Sequence, residues 1–546
     1  LPTHPAGIPS LTLEQVIMIR TRDFITFWPI LMVAIATGLR EGVAAQEPAT
    51  ARSSLSKSAR DRSTSSKLLA FEVRCTAKLP AEPISGRVYV FCAPEGSVGE
   101  PRLGSNWFRP QPFFGTDFRD WKPTEPLFVD EKADGFPGTL AELKPGKYKL
   151  QAVVRRNLDT HRIGDGEGNV YGPIVEREID PKTAGTIALT ADRFVEPRRF
   201  PSTDRIKLVE FPSAKLSAFY GRPIKHRAAL ILPEGLSAEK EPARRPTLYI
   251  IPGFGGDHFM APRFTQGARS AYGADFLSVV LDPDCGTGHH VFADSATNGP
   301  RGAALVEEFI PYIERTFPAI SDPRARLLNG HSSGGWSSLW LQVTYPDFFG
   351  GVWSTSPDPV DFRDFQQINL YRAGENMFRD RSGNRRPIAR MGKVPALFYD
   401  SFCRMDDAIG WGGQLGSFEA VFSPLGSDHR PRKLWNRTTG AIDPEVAKTW
   451  ERYDIRLILE QNWPALSPKL KNKLHVYMGG LDTFYLEGAV KLLRESQIMM
   501  ISDAVIEIVP DRDHGTLLDA KLAERLDREM HETLKGVYTT KSADGN

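Results

Sequence analysis

A serine hydroxyl attacks a carbonyl at neutral pH only when a base takes its proton, and that base serves best when a carboxylate orients it. This chain offers the three groups in a usable order. Gly330-His331-Ser332-Ser333-Gly334 fits the pattern G-x-S-x-G. Leu327-Leu328 precede it as a short strand, and Trp336, Leu339, Trp340 and Val343 follow at helical spacing. The context weighs more than the pattern. Strand, sharp turn and helix lift a serine clear of the backbone, and Gly330 and Gly334 leave room where side chains would collide. Leu474–Met478 reads as a strand whose exit, Gly479-Gly480-Leu481-Asp482, delivers a carboxylate. Ala504–Val509 reads as another, whose exit Pro510-Asp511-Arg512-Asp513-His514 delivers an imidazole. Ser332 is the expected nucleophile, His514 the base and Asp482 the acid. Asp511 and Asp513 compete with Asp482, but they stand so near His514 in sequence that a well-aimed contact is harder to make.

Acyl transfer also needs N–H donors for the charge that develops on the carbonyl oxygen. Leu248–Ile251 enters the loop Pro252-Gly253-Phe254-Gly255-Gly256, which offers the Phe254 N–H as one donor, with the Ser333 N–H as the other. The loop does not complete G-x-G-x-x-G, so a dinucleotide is not expected there. His289-His290 near Asp282 and Asp284 could hold a metal, but a polar loop is the better reading. No metal and no cofactor is expected. HExxH and GxxxxGK[ST] are missing, which argues against a metalloprotease and a P-loop NTPase.

Groups so scattered in sequence need a scaffold that gathers them. From residue 205 to 540, apolar runs at 228–232, 248–251, 276–281, 352–353, 474–478 and 504–509 alternate with helical faces such as Leu305, Phe309, Ile310, Ile313 and Phe317. Strands buried on both faces and separated by helices predict an α/β fold with a doubly wound, mostly parallel sheet. Residues 69–204 differ. Short β-rich runs, Gly and Pro punctuation, and the alternation Tyr148, Leu150, Ala152, Val154 predict a small all-β sandwich, an accessory domain without a reactive cluster. Residues 358–440 break the α/β rhythm and read as an insertion over one end of the sheet. Among its aromatics, Phe402, Trp411 and Trp435 are the expected substrate-binding rings, suited to a sugar or a phenol. Packing of these rings onto the core is the plainer alternative.

Lys and Arg number 69 against 67 Asp and Glu, so charge gives no reason to expect a nucleic-acid partner. Four cysteines without a CxxC pair exclude a zinc ribbon; Cys75 and Cys92, on neighbouring apparent strands, either pair or stay as buried thiols. Met18-Ile19-Arg20-Thr21-Arg22, a better start than Leu1, leads into an apolar run over 24–39 and the small residues Val43-Ala44-Ala45. Residues 1–45 therefore read as a secretory signal peptide cleaved after Ala45, with an uncleaved anchor as the alternative. Residues 46–68 read as a flexible leader. No integral membrane segment is expected after cleavage, and the protein is expected in the periplasm or outside the cell.

At the Pro252–Gly256 loop, the Gly330–Gly334 turn and the Asp482 and His514 exits, the chain resembles the α/β-hydrolase superfamily and, within it, the "putative esterase" family. That family includes feruloyl and acetyl-xylan esterases, S-formylglutathione hydrolase, enterochelin esterase and mycolyltransferases. The resemblance runs over residues 225–537 and departs at Pro252-Gly253, where members often carry His-Gly. It implies a serine esterase that forms an acyl-enzyme on Ser332, and with the signal-peptide pattern the expectation is an exported enzyme whose partner is a small-molecule or glycan ester. A serine peptidase or acyltransferase of this fold, and a silent relative that only binds, stand as alternatives. The lack of repeats speaks against a β-propeller peptidase.

Overall fold

The computed structural model describes residues 68–104, 106–236, 243–266 and 274–539. All fall within one compact unit, Thr64–Asn546. The expected signal peptide and nearly all of the leader lie outside the described residues. Among those described, no helix is long and apolar enough to cross a membrane.

Eight strands form the central sheet, in the order Ile206–Pro212, Lys225–Ile231, Leu277–Leu281, Thr247–Ile251, Arg326–His331, Gly351–Thr355, Leu474–Gly479 and Val505–Val509. Lys225–Ile231 pairs antiparallel with both neighbours; the other pairings are parallel. The inner strands are apolar without alternation because both faces are covered. The helix Ala520–Thr539 lays Leu526, Met530 and Leu534 against the core that holds Leu327, Trp353 and Tyr477. On the other side, Leu305, Phe309, Ile313, Trp336 and Leu339 share a core with Leu328 and Val352.

The order reverses at Thr247–Ile251. The chain runs from there to Leu277–Leu281 on one side, then returns to Arg326–His331 on the other. At such a reversal the strand ends open on a crevice. Ile251 stands opposite Gly330, His331 opposite Thr355, Thr355 opposite Tyr477 and Gly479 opposite Val509. Register alone thus brings five strand exits to one edge.

Residues 70–194 build a three-stranded sheet, Leu127–Val129, Ala70–Cys75 and Thr186–Ala191, and a seven-stranded one around Gly146–Arg155, Ile84–Pro94 and Phe113–Trp121. Strand alternation splits the larger sheet cleanly. Val88, Val90 and Cys92 pack with Phe71 and Val73 of the smaller sheet. Tyr89, Phe91, Phe113 and Val153 join the core of the α/β region. The uninterrupted apolar run over 88–93 reflects two covered faces. Cys75 and Cys92 sit in different sheets, and all four cysteines are free thiols.

The insertion forms a hairpin, Pro387–Met391 with Val394–Phe398, then the helices Tyr399–Ile409 and Gln414–Phe422. Buried arginines of the large β-rich sheet hold it: Arg87 donates to Ala408 O, and Arg155 donates to Trp411 O.

Candidate active site

Ser332 takes φ 62° and ψ −126°, a left-handed conformation that a residue with a side chain rarely adopts. Its N–H donates to Thr355 O at 3.1 Å, and its carbonyl accepts the first helical bond from Trp336 N–H at 3.0 Å. The flanking glycines are obligatory. A Cβ on Gly330 would stand 1.9 Å from Gly334 O, and one on Gly334 would stand 1.9 Å from Ile251 O. The helix Ser333–Thr344 starts at once, so the Ser333 N–H belongs to the first turn, where no intrahelical acceptor exists.

The Pro252–Gly256 loop presses on this turn: a Cβ on Gly253 would stand 3.1 Å from Ser332 Cβ. The peptide that carries the Phe254 N–H is therefore beside the serine. His289 supports the loop from beneath. Its Nε2 lies 2.8 Å from Pro252 O, and a carbonyl can only accept, so Nε2 carries the proton; Nδ1 accepts from Val291 N–H at 3.1 Å. Burial pushes this imidazole down to about 4, against the opposing Pro252 hydrogen bond. Both nitrogens are thus engaged in a neutral ring that fixes the loop.

The structure brings Asp482 and His514 together. His514 Nδ1 lies 2.7 Å from Asp482 Oδ2, and both side chains are buried. The carboxylate accepts, so Nδ1 is protonated and Nε2 keeps the lone pair that a general base needs. Burial alone would push the imidazole down, but Asp482, with help from Asp358 and Asp513, holds it above its ordinary value. Backbone bonds from Gly480 N–H to Val509 O (2.8 Å) and Leu481 N–H to Arg512 O (2.9 Å) lock the two exits together. Phe484 N–H donates to Asp482 Oδ1 at 2.9 Å, while its ring stands edge-on to His514 at 5.0 Å. His331 covers another side of the imidazole at 4.6 Å. Asp513 is turned away, its Oδ1 capping Gly515 and Thr516 N–H groups, and Asp511 is exposed.

Two site residues escape the sequence reading. Asp358 follows Gly351–Thr355 and accepts from Ser333 Oγ at 2.5 Å. Its N–H reaches Ser332 O at 3.3 Å. Burial raises its carboxyl to about 6, although the Ser333 and Ser332 hydroxyls and the charge on His514 pull the other way. The signal was present: Ser354-Thr355-Ser356-Pro357-Asp358 is a strand exit beside the Ser332 turn, a position like that of Asp482. The other is Arg390 of the insertion, whose Nε donates to Asp482 O at 2.9 Å. No local pattern marks it.

The expected substrate-binding rings separate. Phe402 is buried against Trp107, ring centroids 5.1 Å apart. Trp411 is half-buried, with the Arg430 guanidinium 5.2 Å from its ring centre. Trp435 is a correction: it is only 2% exposed and lies under the Arg437 guanidinium at 4.0 Å, so it is a core residue and no substrate reaches it. An arginine two residues from the tryptophan in sequence here roofs a packed ring.

Residues 228–498 match the model of the family described as "Putative esterase". No curated protein matches the chain. Among solved structures, it is similar to a ferulic acid esterase at 14% identity, over 60% of this chain and 99% of that one, with a TM-score of 0.36. FphF, a fluorophosphonate-binding serine hydrolase of Staphylococcus aureus, aligns at 14% identity over 60% and 98%, TM-score 0.37. An S-formylglutathione hydrolase from Agrobacterium tumefaciens aligns at 14% over 60% and 96%, TM-score 0.37.

Proposed function

We propose that this chain is a serine esterase that opens a carboxylic ester through an acyl-enzyme. One observation carries the reading: the Asp482–His514 pair, 2.7 Å apart, stands at the same sheet edge as the strained Ser332 turn. Ser332 Oγ attacks the ester carbonyl as His514 Nε2 takes its proton. Asp482 keeps the imidazole in the required tautomer and steadies the imidazolium. The Phe254 and Ser333 N–H groups receive the oxyanion. The protonated His514 then gives its proton to the departing alkoxide, and water releases the acyl group by the same steps in reverse.

The fuller reading is an exported enzyme in which residues 69–204 form an accessory β-sandwich and the substrate is a carbohydrate-linked ester of the acetyl or feruloyl type. With Trp435 in the core and Phe402 covered, the carbohydrate part of that reading rests on Trp411. A fluorophosphonate probe tests the chemistry. The wild-type protein should be labelled and should hydrolyse p-nitrophenyl acetate, and Ser332→Ala should do neither while melting at the same temperature. An unlabelled, inactive wild type would mean a silent binding protein. Labelling with activity on peptides alone, or with acyl transfer to a sugar alone, would mean a peptidase or an acyltransferase.

A further inference from the structure

A half-buried tryptophan reaches the crevice from the β-rich part of the chain, which carries none of the reacting groups. Trp107 lies in the loop between Ile84–Pro94 and Phe113–Trp121. The loop is firmly rooted. Arg102 N–H donates to Gln151 Oε1 at 3.1 Å, and the Arg102 guanidinium sits 4.0 Å from the centre of the Tyr171 ring. Next to the tryptophan, Asn106 Oδ1 accepts from the N–H groups of Phe108 (2.8 Å) and Arg109 (3.2 Å), closing a tight turn.

The Trp107 ring stacks on Phe254 at 5.8 Å and 28°. It meets Phe402 edge-on at 5.1 Å and Phe484 edge-on at 6.0 Å. Phe484 in turn stands edge-on to His514. The rings make one continuous arc from the oxyanion loop, across Trp107, to the base. Phe402 is 5% exposed and is used up in backing the arc, whereas Trp107 keeps open surface. The alkoxide that departs takes its proton from His514. The group it carries therefore lies on the side that Phe484 and Trp107 wall, and an indole face there favours a flat apolar partner.

We propose that Trp107 is a specificity-determining residue of this site, contacting a flat, apolar group on the alcohol side of the ester. The proposal rests on the esterase reading, and it makes the β-rich region part of the substrate site.

The test compares 2-naphthyl acetate with ethyl acetate, which share an acyl group. For Trp107→Ala the ratio of their kcat/KM values should fall about tenfold from wild type, mostly through KM, and Trp107→Phe should recover most of the loss. A parallel arm needs no turnover: in Ser332→Ala protein, the Kd for 2-naphthyl acetate by calorimetry should rise about tenfold when Trp107→Ala is added. An equal loss on both esters would mean that Trp107 only props Phe254, and would overturn the proposal. So would a change confined to esters that vary in the acyl group, or an unchanged Kd. A wild type that turns over neither ester would sink the esterase reading, while the binding arm would still decide the role of Trp107.

Discussion

Ser332, Asp358, Asp482 and His514 each follow within a few residues of a strand whose ladder fixes it in register. Trp107, Arg390 and Phe402 approach the same edge from outside that sheet: a loop, a two-stranded hairpin and a helix. Side chains tie these pieces down: Arg87 donates to Ala408 O, Arg155 to Trp411 O, and Gln151 accepts from Arg102 N–H in the Trp107 loop. Ladder hydrogen bonds repeat along a strand and tolerate the loss of one member. A buried guanidinium spread over several distant carbonyls does not, because each carbonyl left behind stays buried and unpaired. On the proposed function, the strand ends carry the chemistry and the cover is the part able to vary what is bound. Changes at the strand ends should act on rate for every substrate, and changes in the cover should act on choice among substrates.

The sharpest way to break this division is Asp482→Asn. The isosteric amide keeps the shape but neither fixes the Nδ1–H tautomer nor steadies the imidazolium, so kcat/KM should fall about 10³–10⁴-fold on aryl and alkyl esters alike. The pH profile should move as well. Asp482 holds His514 above its ordinary value, so the wild-type rate rises with pH only as that raised group loses its proton. Without the carboxylate, burial dominates and the acid limb should shift to lower pH. A loss confined to one substrate class would place Asp482 with the cover.

Most of the strand-end chemistry is legible in the sequence because it is local. Gly330 and Gly334 around Ser332, and the apolar runs ending near Asp482 and His514, carry their own context within ten residues. Asp358 is equally local, but a carboxyl that accepts from serine hydroxyls matches no motif. The cover is written in a different way. Nothing near Trp107 in sequence indicates Phe254, Phe402 or Phe484, which come from three separate segments. The apolar run over 88–93 does announce two covered faces, yet not what covers the second. Trp435 misleads for a related reason. Whether an arginine flanks a binding surface or roofs a core ring depends on Glu419 and Asp407, which bond Arg437 at 2.7 and 3.0 Å from other elements.

A smaller effect compares two carboxyls within the strand-end region itself. Asp482 faces an imidazole, whereas Asp358 faces the Ser333 and Ser332 hydroxyls. Burial raises Asp358 to about 6, above the ordinary carboxylate value near 4. The folded protein then binds a proton that the unfolded chain has released, so stability falls as pH rises through that window and stays lower above it. Asp358→Asn carries no such charge and can still accept from Ser333. It should be more stable than wild type by on the order of 2 kcal/mol at pH 8, with the difference vanishing towards pH 4. Urea melts across pH 4–8 would show this. A difference independent of pH would mean that the carboxyl titrates as it does in the unfolded chain.

The smallest expected effect belongs to the cover and concerns Trp411. Its carbonyl is tied to Arg155, and its ring lies under Arg430, which Asp117 of the β-rich region holds at 2.9 Å. Three residues on, Gln414 Nε2 stands 3.5 Å from Ser333 Oγ, so the segment runs directly into the site. The proposed carbohydrate reading puts a sugar ring against this half-buried indole, a contact worth about 1 kcal/mol. For Trp411→Ala, the ratio of KM for an acetylated oligosaccharide to that for p-nitrophenyl acetate should rise about fivefold. Trp435→Ala supplies the contrast: emptying a core site should cost about 3–5 kcal/mol of stability and leave that ratio where it was. If Trp411→Ala instead lowers stability as Trp435→Ala does and leaves the ratio unchanged, its ring is packing as well. The carbohydrate reading would then have no residue left to rest on, and choice among esters would fall to Trp107 and the arc around it.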